Sequence, residues 1–223
     1  YSLIAYSPWS PQEIFDLTVL SFNMADRYRV PVLLMADEVV GHMVERVIIP
    51  PSDEIPYWPR KRPQHPPNGQ FKPFQPDLAD LVPPMAHAGE GYHLHFTGLT
   101  HDERGYPDMT PETHQKLVAR LVDKIGKNAA DIIRTEEYYL DDAEIVMVML
   151  GSSAGTAKDV IDEYREKGVK AGLLKLRMFR PFPNEYIAKV LAGRKAVAVL
   201  DRSASFGGFG GPVFSEIRNA MYG

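Results

Sequence analysis

Cysteine is absent from all 223 residues. That excludes structural disulfides, thiolate zinc sites and cysteine-ligated iron–sulfur clusters within this chain, so any electron transfer through clusters requires a partner to hold them. Long apolar runs are also missing. The longest, such as Ile145 to Leu150, fall far short of the roughly 20 residues that cross a bilayer. A surplus of positive charge is lacking as well. The formal net charge is −4, which argues against nucleic-acid binding, where affinity comes mostly from neutralising phosphates. What remains is 44% apolar and 24% charged, the balance of an ordinary globular protein with enough chain for one large or two small domains. No signal peptide is visible, although Tyr1 does not read as a native start, and the expected location is the cytoplasm.

Regular patterning divides the chain into three stretches. Residues 1–49 read as strand, helix, strand and a short helical turn. Ser10-Pro11-Gln12-Glu13 is a capping box with proline at the first helical position. Ile14, Leu17, Leu20, Met24 and Tyr28 then recur at helical spacing, and Phe15, Val19 and Phe22 widen the stripe, predicting a helix buried on more than one side. Val32 to Ala36 is a continuous apolar run of the parallel-sheet type.

Residues 50–111 hold 13 of the 19 prolines, each of which removes a donor and fixes φ. An ordered strap is expected there, fastened by Tyr57, Trp58, Phe71, Phe74, Tyr92 and Phe96, with a short strand at Tyr92 to Phe96.

Residues 112–223 begin after a second cap-and-proline pair, Thr110-Pro111. The pattern predicts a long helix through Ile133, weakened at Gly126. An alternation follows: strand Ile145 to Leu150, helix Ala154 to Lys167 ended by Gly168, strand Val169 to Leu176, helix Asn184 to Leu191, strand Ala196 to Leu200 and helix Pro212 to Tyr222. This is a small parallel sheet of three strands with helices on its faces. Both sheet remnants read as unfinished, with neighbouring strands expected upstream of Tyr1 and beyond Gly223.

Ligands of open parallel sheets meet the loops after the carboxyl ends of strands. Two such loops stand out. Asp37-Glu38 follows the strand Val32 to Ala36, and either starts the next helical turn or lines the mouth of a site. The run Asp201-Arg202-Ser203-Ala204-Ser205-Phe206-Gly207-Gly208-Phe209-Gly210-Gly211 leads into a helix N-terminus. It is read as tight packing or a subunit contact, with anion binding as the rival, since it lacks the P-loop Lys-Ser/Thr and the G-x-G-x-x-G pattern. Gly151 to Thr156 reads as a helix cap. Arg177 to Pro183 reads as a turn set by its prolines, with arginines facing an edge or a partner. His93, His95 and His101-Asp102-Glu103 fall short of a zinc ligand set, and no nucleophile elbow is present.

Several of these segments together resemble a known family. Ser7-Pro8-Trp9-Ser10-Pro11-Gln12-Glu13 with Asp16-Leu17-Thr18, Tyr28-Arg29-Val30-Pro31-Val32 and Met35-Ala36-Asp37-Glu38 resemble the alpha subunit of 2-oxoacid:ferredoxin oxidoreductases. Thr97 to Pro107 resembles a segment of the 2-oxoglutarate branch. Arg180-Pro181-Phe182-Pro183 and Leu200 to Gly207 are similar to that subunit's transketolase C-terminal-like domain. The resemblance is collinear over nearly the whole chain.

It implies an α/β fold: the remnant of a thiamine-diphosphate pyrimidine-binding-type domain in residues 1–49, a strap in 50–111, and a transketolase C-terminal-like domain in 112–223. It also implies CoA-dependent oxidative decarboxylation of 2-oxoglutarate or a related 2-oxo acid. Thiamine diphosphate, Mg2+ and [4Fe–4S] clusters belong to the complex, held mainly by a beta subunit and by segments outside this chain, and none lies wholly within it. Ferredoxin and coenzyme A act at the level of the complex, with gamma and delta subunits as further partners and an alpha–alpha contact; neither nucleic acid nor membrane is among them. The family's cofactor-activating glutamate precedes Tyr1, so no catalytic residue and no metal ligand is carried over. Asp37, Glu38 and His42 are the channel-mouth candidates, although many relatives have Asp-Gly where this chain has Asp37-Glu38. Asp201, Arg202, Ser203, Gly207 and Gly208 are the interface or anion-loop candidates. Two other identities remain open: a beta-type subunit of a 2-oxoacid dehydrogenase, and a scaffolding homologue that lacks the cofactor.

Overall fold

The computed structural model describes residues 2–67 and 69–222. Two sheets organise it. The first contains β1 (Ile4–Tyr6), β2 (Val32–Leu34) and β6 (Met178–Arg180) in the order β2-β1-β6. β1 and β2 run parallel, as expected, joined by α1 (Pro11–Tyr28). The other side of β1 is covered by antiparallel β6, from far along the chain, where a strand upstream of Tyr1 was expected. The Arg177 to Pro183 turn therefore carries a strand that its prolines conceal.

Ser10 caps α1 as expected, its Oγ accepting from the Glu13 N–H at 3.2 Å. The reciprocal arm differs, because Glu13 Oε2 accepts from the Trp9 N–H at 3.2 Å, one residue before the cap. Leu17, Met24 and Tyr28 are buried, but Phe22 is 74% exposed, so α1 buries one broad face and not its full circumference. That face packs with Ile4, Tyr6, Ile125, Ile132 and Met178 in one core cluster. The Tyr6 hydroxyl donates to the Ile132 carbonyl at 3.1 Å, and its burial pushes the phenol pKa up to about 12.

Among its described residues the strap forms no helix or strand before Pro111, only an isolated bridge between His101 and Pro107. Tyr92 to Phe96 forms no strand, because the surrounding loop offers no neighbouring backbone edge. The histidines there meet side chains and turn carbonyls instead: His95 Nδ1 lies 2.7 Å from Gly105 O, and His95 stacks on Tyr106 at 4.3 Å. Gly105, at φ +94°, lets the backbone come so close that a Cβ would sit 2.1 Å from His95 O. Trp58, Phe71, Phe74 and Tyr92 are partly buried, whereas Tyr57 and Phe96 are exposed. Arg29, in the left-handed conformation at φ 46°, fastens the strap by donating to the carbonyls of Pro73 (2.7 Å), Pro84 (3.3 Å) and Pro83 (3.4 Å).

α3 (Pro111–Lys127) starts at Thr110 as expected and stops one residue after Gly126. Asn128 resets the chain, and the separate α4 (Ala129–Ile132) follows. The predicted long helix is thus two helices. The second sheet has the order β3-β5-β4-β7, built from β3 (Thr135–Tyr138), β4 (Ile145–Leu150), β5 (Ala171–Leu176) and β7 (Ala196–Leu200). The three expected strands are parallel to one another; β3 adds a fourth, antiparallel to β5. Helices α6 (Asn184–Leu191) and α7 (Pro212–Tyr222) cover one face through Val146, Val148, Leu174, Ile187, Leu191 and Ile217. α5 (Ser153–Glu166) covers the other through Met149, Ala154, Ala157, Ile161 and Leu173. Alternation along β4 and β5 delivers each residue to its face.

Lys175 of β5 breaks that apolar pattern. Its side chain is fully buried, and its Nζ donates to Glu13 Oε1 and Glu136 Oε2, each at 2.8 Å. Arg177 reaches Glu13 Oε1 at 2.8 Å, Lys158 also pairs with Glu136, and the Trp9 ring lies 4.6 Å from Lys175 Nζ. Removing one partner of a buried ion pair leaves the other charge uncompensated, at a cost of about 3–5 kcal/mol. Lys175→Met is therefore expected to lower unfolding stability by about 3 kcal/mol in urea titration. The double variant Glu13→Gln/Lys175→Met should lose less than the sum of the two single losses; strict additivity would show that the pair is not coupled.

Candidate functional site

The carboxyl ends of β2, β4 and β7 converge. β2 leads through Met35 and Ala36 to Asp37, which precedes the one-turn helix α2 (Glu38–His42). The Asp37 side chain makes no cap bond to α2 and turns instead toward the second sheet. Its Oδ2 accepts from the Ser152 N–H at 2.7 Å and from the Ser152 hydroxyl at 2.6 Å. Arg202, in the loop after β7, donates from Nη1 to Ser152 Oγ at 2.8 Å and approaches Asp37 Oδ2 at 3.4 Å.

Local backbone geometry makes the contact possible. Gly151 stands at φ +76°, and a Cβ there would lie 2.5 Å from Asp37 Oδ2. The Gly151 to Thr156 turn was expected to be a helix cap, but Ser152 makes no side-chain cap bond to α5; its hydroxyl and its N–H both donate to Asp37 Oδ2. Partial burial works against the Asp37 carboxylate. The Ser152 donors and the Arg202 guanidinium outweigh it and hold the group below the ordinary aspartate range.

The other channel-mouth candidates are not drawn in. Glu38 and His42 stand on the exposed face of α2, 3.8 Å apart, paired with each other and strongly solvated. Exposure also marks their surroundings: Val44, Ile48 and Ile49 present open apolar surface after α2.

The loop after β7 splits by role. Asp201 turns inward, its Oδ2 accepting from the Val213 N–H at 2.7 Å and its Oδ1 from the Ser203 N–H at 3.1 Å. Thus the first turn of α7, read as a possible anion site, already carries a carboxylate of this chain. Gly211 is required for that closure, since a Cβ there would meet Asp201 Oδ2 at 2.3 Å. Ser203, Gly207 and Gly208 are exposed, with Gly207 at φ +75°, and between and beside them Phe206 and Phe209 stand almost wholly in solvent.

Sequence reasoning missed Ser152 and Gly151 as partners of Asp37, and the Glu13–Lys175 pair. A lysine inside the otherwise apolar strand Ala171 to Leu176 was a readable signal that a buried acid must face it. Among the described residues, no group of three or more His, Asp or Glu side chains converges as a metal site. Asp37 commits Oδ2 to Ser152 and Arg202, leaving one carboxylate oxygen where a Mg2+–diphosphate needs several converging ligands. The residues present therefore do not by themselves fit that cofactor's metal or diphosphate end.

Two family models together span most of the chain. Residues 1–120 match the thiamine-diphosphate-binding domain of pyruvate flavodoxin/ferredoxin oxidoreductases, and residues 143–223 match core domain II of pyruvate:ferredoxin oxidoreductase. The chain belongs to the pyruvate flavodoxin/ferredoxin oxidoreductase family. Within it, this chain is 48% identical over 197 residues to 2-oxoglutarate synthase subunit KorA of Methanocaldococcus jannaschii, covering 88% of this chain and 52% of that protein. It is 41% identical over its whole length to KorA of Methanothermobacter marburgensis, of which it covers 57%. It is also 52% identical over 160 residues to pyruvate synthase subunit PorA of Methanosarcina barkeri, covering 67% of this chain and 37% of that protein. The chain thus spans about half the length of the curated relatives it matches over most of its own length. The fold is shared with 2-oxoglutarate:ferredoxin oxidoreductase of Magnetococcus marinus, solved with 2-oxoglutarate, coenzyme A and succinyl-CoA bound, at a TM-score of 0.82 and 22% identity over 98% of this chain and 37% of that one.

Because the folded state holds the Asp37 pKa low, the stability it contributes is complete above the unfolded aspartate value near 4 and is lost as pH falls through the lower folded value. Asp37→Asn should cost about 1–2 kcal/mol at pH 7 and flatten the stability profile below pH 4, read by thermal melts across pH. An unchanged acid limb would show that Asp37 is not the group responsible.

Proposed function

We propose that this chain is part of the alpha subunit of a thiamine-diphosphate-dependent 2-oxoacid:ferredoxin oxidoreductase, acting on 2-oxoglutarate with coenzyme A as acyl acceptor. The observation that carries the reading is the 48% identity to a 2-oxoglutarate synthase subunit across 88% of this chain. The rival substrate is pyruvate, favoured by the 52% identity to PorA over a shorter stretch.

In this reading the chain's own contribution is positional. Asp37, Ser152 and Arg202 tie together three loops at the carboxyl ends of strands, where α/β sheets meet ligands. Glu38 and His42, paired with each other and solvated, line the channel mouth. With no cysteine in the chain, [4Fe–4S] clusters are held by a partner, and the beta subunit carries Mg2+ and the diphosphate of thiamine diphosphate. The apolar surface after α2 is where that subunit seats, and the exposed Phe206–Phe209 loop serves the alpha–alpha contact. The division into residues 1–49, 50–111 and 112–223, and a cytoplasmic location, belong to the same proposal.

The test is reconstitution of the full-length subunit with its beta partner, followed by viologen dye reduction with coenzyme A and one 2-oxo acid at a time. Dye reduction is expected with 2-oxoglutarate at a kcat/KM at least tenfold above that with pyruvate. The reverse ranking would overturn the substrate assignment, and transfer to lipoamide without dye reduction would overturn the enzyme class.

A further inference from the structure

A cavity of about 320 Å³ opens between the strap and α3, and no residue of the Asp37 cluster lines it. Its wall carries three cations, Arg29, Arg120 and Lys124, together with His101, Thr97 and Thr100. Lys124 is 1% exposed, yet its ammonium makes one hydrogen bond, to the Arg29 carbonyl at 3.0 Å. An ammonium has three hydrogens to donate, so two remain. Arg29 spends Nη1 on strap carbonyls and stacks on the Phe74 ring at 5.1 Å, and no carboxylate pairs with it among the described residues. Arg120 forms no hydrogen bond or ion pair with any described residue.

Carboxylates near this cavity are already committed. Asp102 serves Arg104 and the Tyr106 N–H, and Glu103 pairs with Lys72. The three cations therefore repel one another in a partly desolvated space. Burial first, then Arg120 and Arg29, pulls the Lys124 pKa down to about 8. Lys175, the other fully buried cation among the described residues, by contrast meets two carboxylates. A cavity with three converging cations and hydroxyl groups has the donor chemistry of an oxyanion site, and guanidinium and ammonium groups together suit an anion with several oxygens and more than one charge.

We propose that this cavity binds a phosphate group, either as a free phosphate or pyrophosphate or as the phosphomonoester end of a larger molecule. Arg120 and Lys124 supply the principal donors and Arg29 the supporting charge. The site stands independently of the substrate assignment, since no residue of the Asp37 cluster lines it.

The experiment is isothermal titration of the full-length protein with inorganic phosphate, pyrophosphate and ribose 5-phosphate at constant ionic strength, with succinate as a carboxylate control. At least one phosphate probe is expected to bind, and Arg120→Gln should weaken it about tenfold without moving the melting temperature, because the guanidinium holds no other group in place. Lys124→Met provides a second reading, with a similar loss expected if it remains folded by circular dichroism. Binding of the inorganic probes identifies a free anion as the source; binding of ribose 5-phosphate alone identifies an ester. Failure of all three phosphate probes, affinity unchanged in Arg120→Gln, or succinate binding as tightly as phosphate would overturn the proposal. A loss of dye reduction by itself would bear on the enzyme reading and not on this site.

Discussion

The ion pair between Glu13 and Lys175 sets the geometry on which the rest of the molecule depends. A bare ammonium in the centre of a sheet costs several kcal/mol of desolvation, and Lys175 lies on β5, flanked on both sides by other strands. Two carboxylates at 2.8 Å and the face of the Trp9 indole at 4.6 Å offset that cost. Glu13 stands in the first turn of α1, where the helix dipole favours negative charge. One interaction thus fixes the start of α1, the Trp9 side chain and the middle of the second sheet in a single arrangement. Such a pair favours uniqueness over raw stability, because an imperfect alignment would leave both charges buried and unmatched.

That alignment has consequences at both ends of the first sheet. With α1 held, β1 is sandwiched between β2 and β6, and the Ser7 N–H donates to the Arg177 carbonyl at 2.9 Å just beyond the strands. β6 follows β5 after only one residue, so the second sheet effectively extends a strand into the first. The close fit of Trp9 over α5 belongs to the same docking: a Cβ at Gly155 would fall 2.4 Å from the indole. The carboxyl end of β2 is thereby delivered to the β4 loop, where Asp37 meets Ser152 across the missing Cβ of Gly151. The clasp is a product of the docking and not of any local motif around Asp37.

Local signals made most of the elements readable. Ser10 and Thr110 with their following prolines mark the starts of α1 and α3, and Gly168 at φ +83° ends α5 where its sequence predicts. The apolar runs of β4, β5 and β7 are parallel-strand patterns, and they pair that way. β3 was hidden because Thr135-Glu136-Glu137-Tyr138 has no apolar face; its inward residues are a glutamate paired with buried Lys175 and a tyrosine bonded to Asp162. β6 was hidden because three residues before a proline carry no periodicity, and its pairing with β1 spans more than 170 residues. The candidate loops after β2 and β7 were legible from strand topology, since ligand loops follow carboxyl ends. That Asp37, and not Glu38 or His42, makes the long-range contact was not, because the choice is made by where Gly151 allows approach.

The two groups of interior cations show what is finished within this chain and what is not. Around Lys175, Lys158 and Arg177 every cation reaches Glu13 or Glu136, so each charge meets an opposite one through contacts between segments of the same polypeptide. Around Lys124 the neighbours are two arginines, neutral carbonyls, threonines and the Phe74 ring, and among the described residues no carboxylate pairs with any of the three cations. Electrostatic repulsion of that kind raises the energy of the folded chain unless an anion relieves it, and groups whose charges oppose one another are a recurrent mark of binding sites. The strap gains a role from this contrast. Arg29 holds Pro73, Pro83 and Pro84 by their carbonyls, and in doing so its own charge is brought to the cavity wall beside Lys124. The same left-handed residue that ends α1 thus fastens the strap and charges the space beneath it.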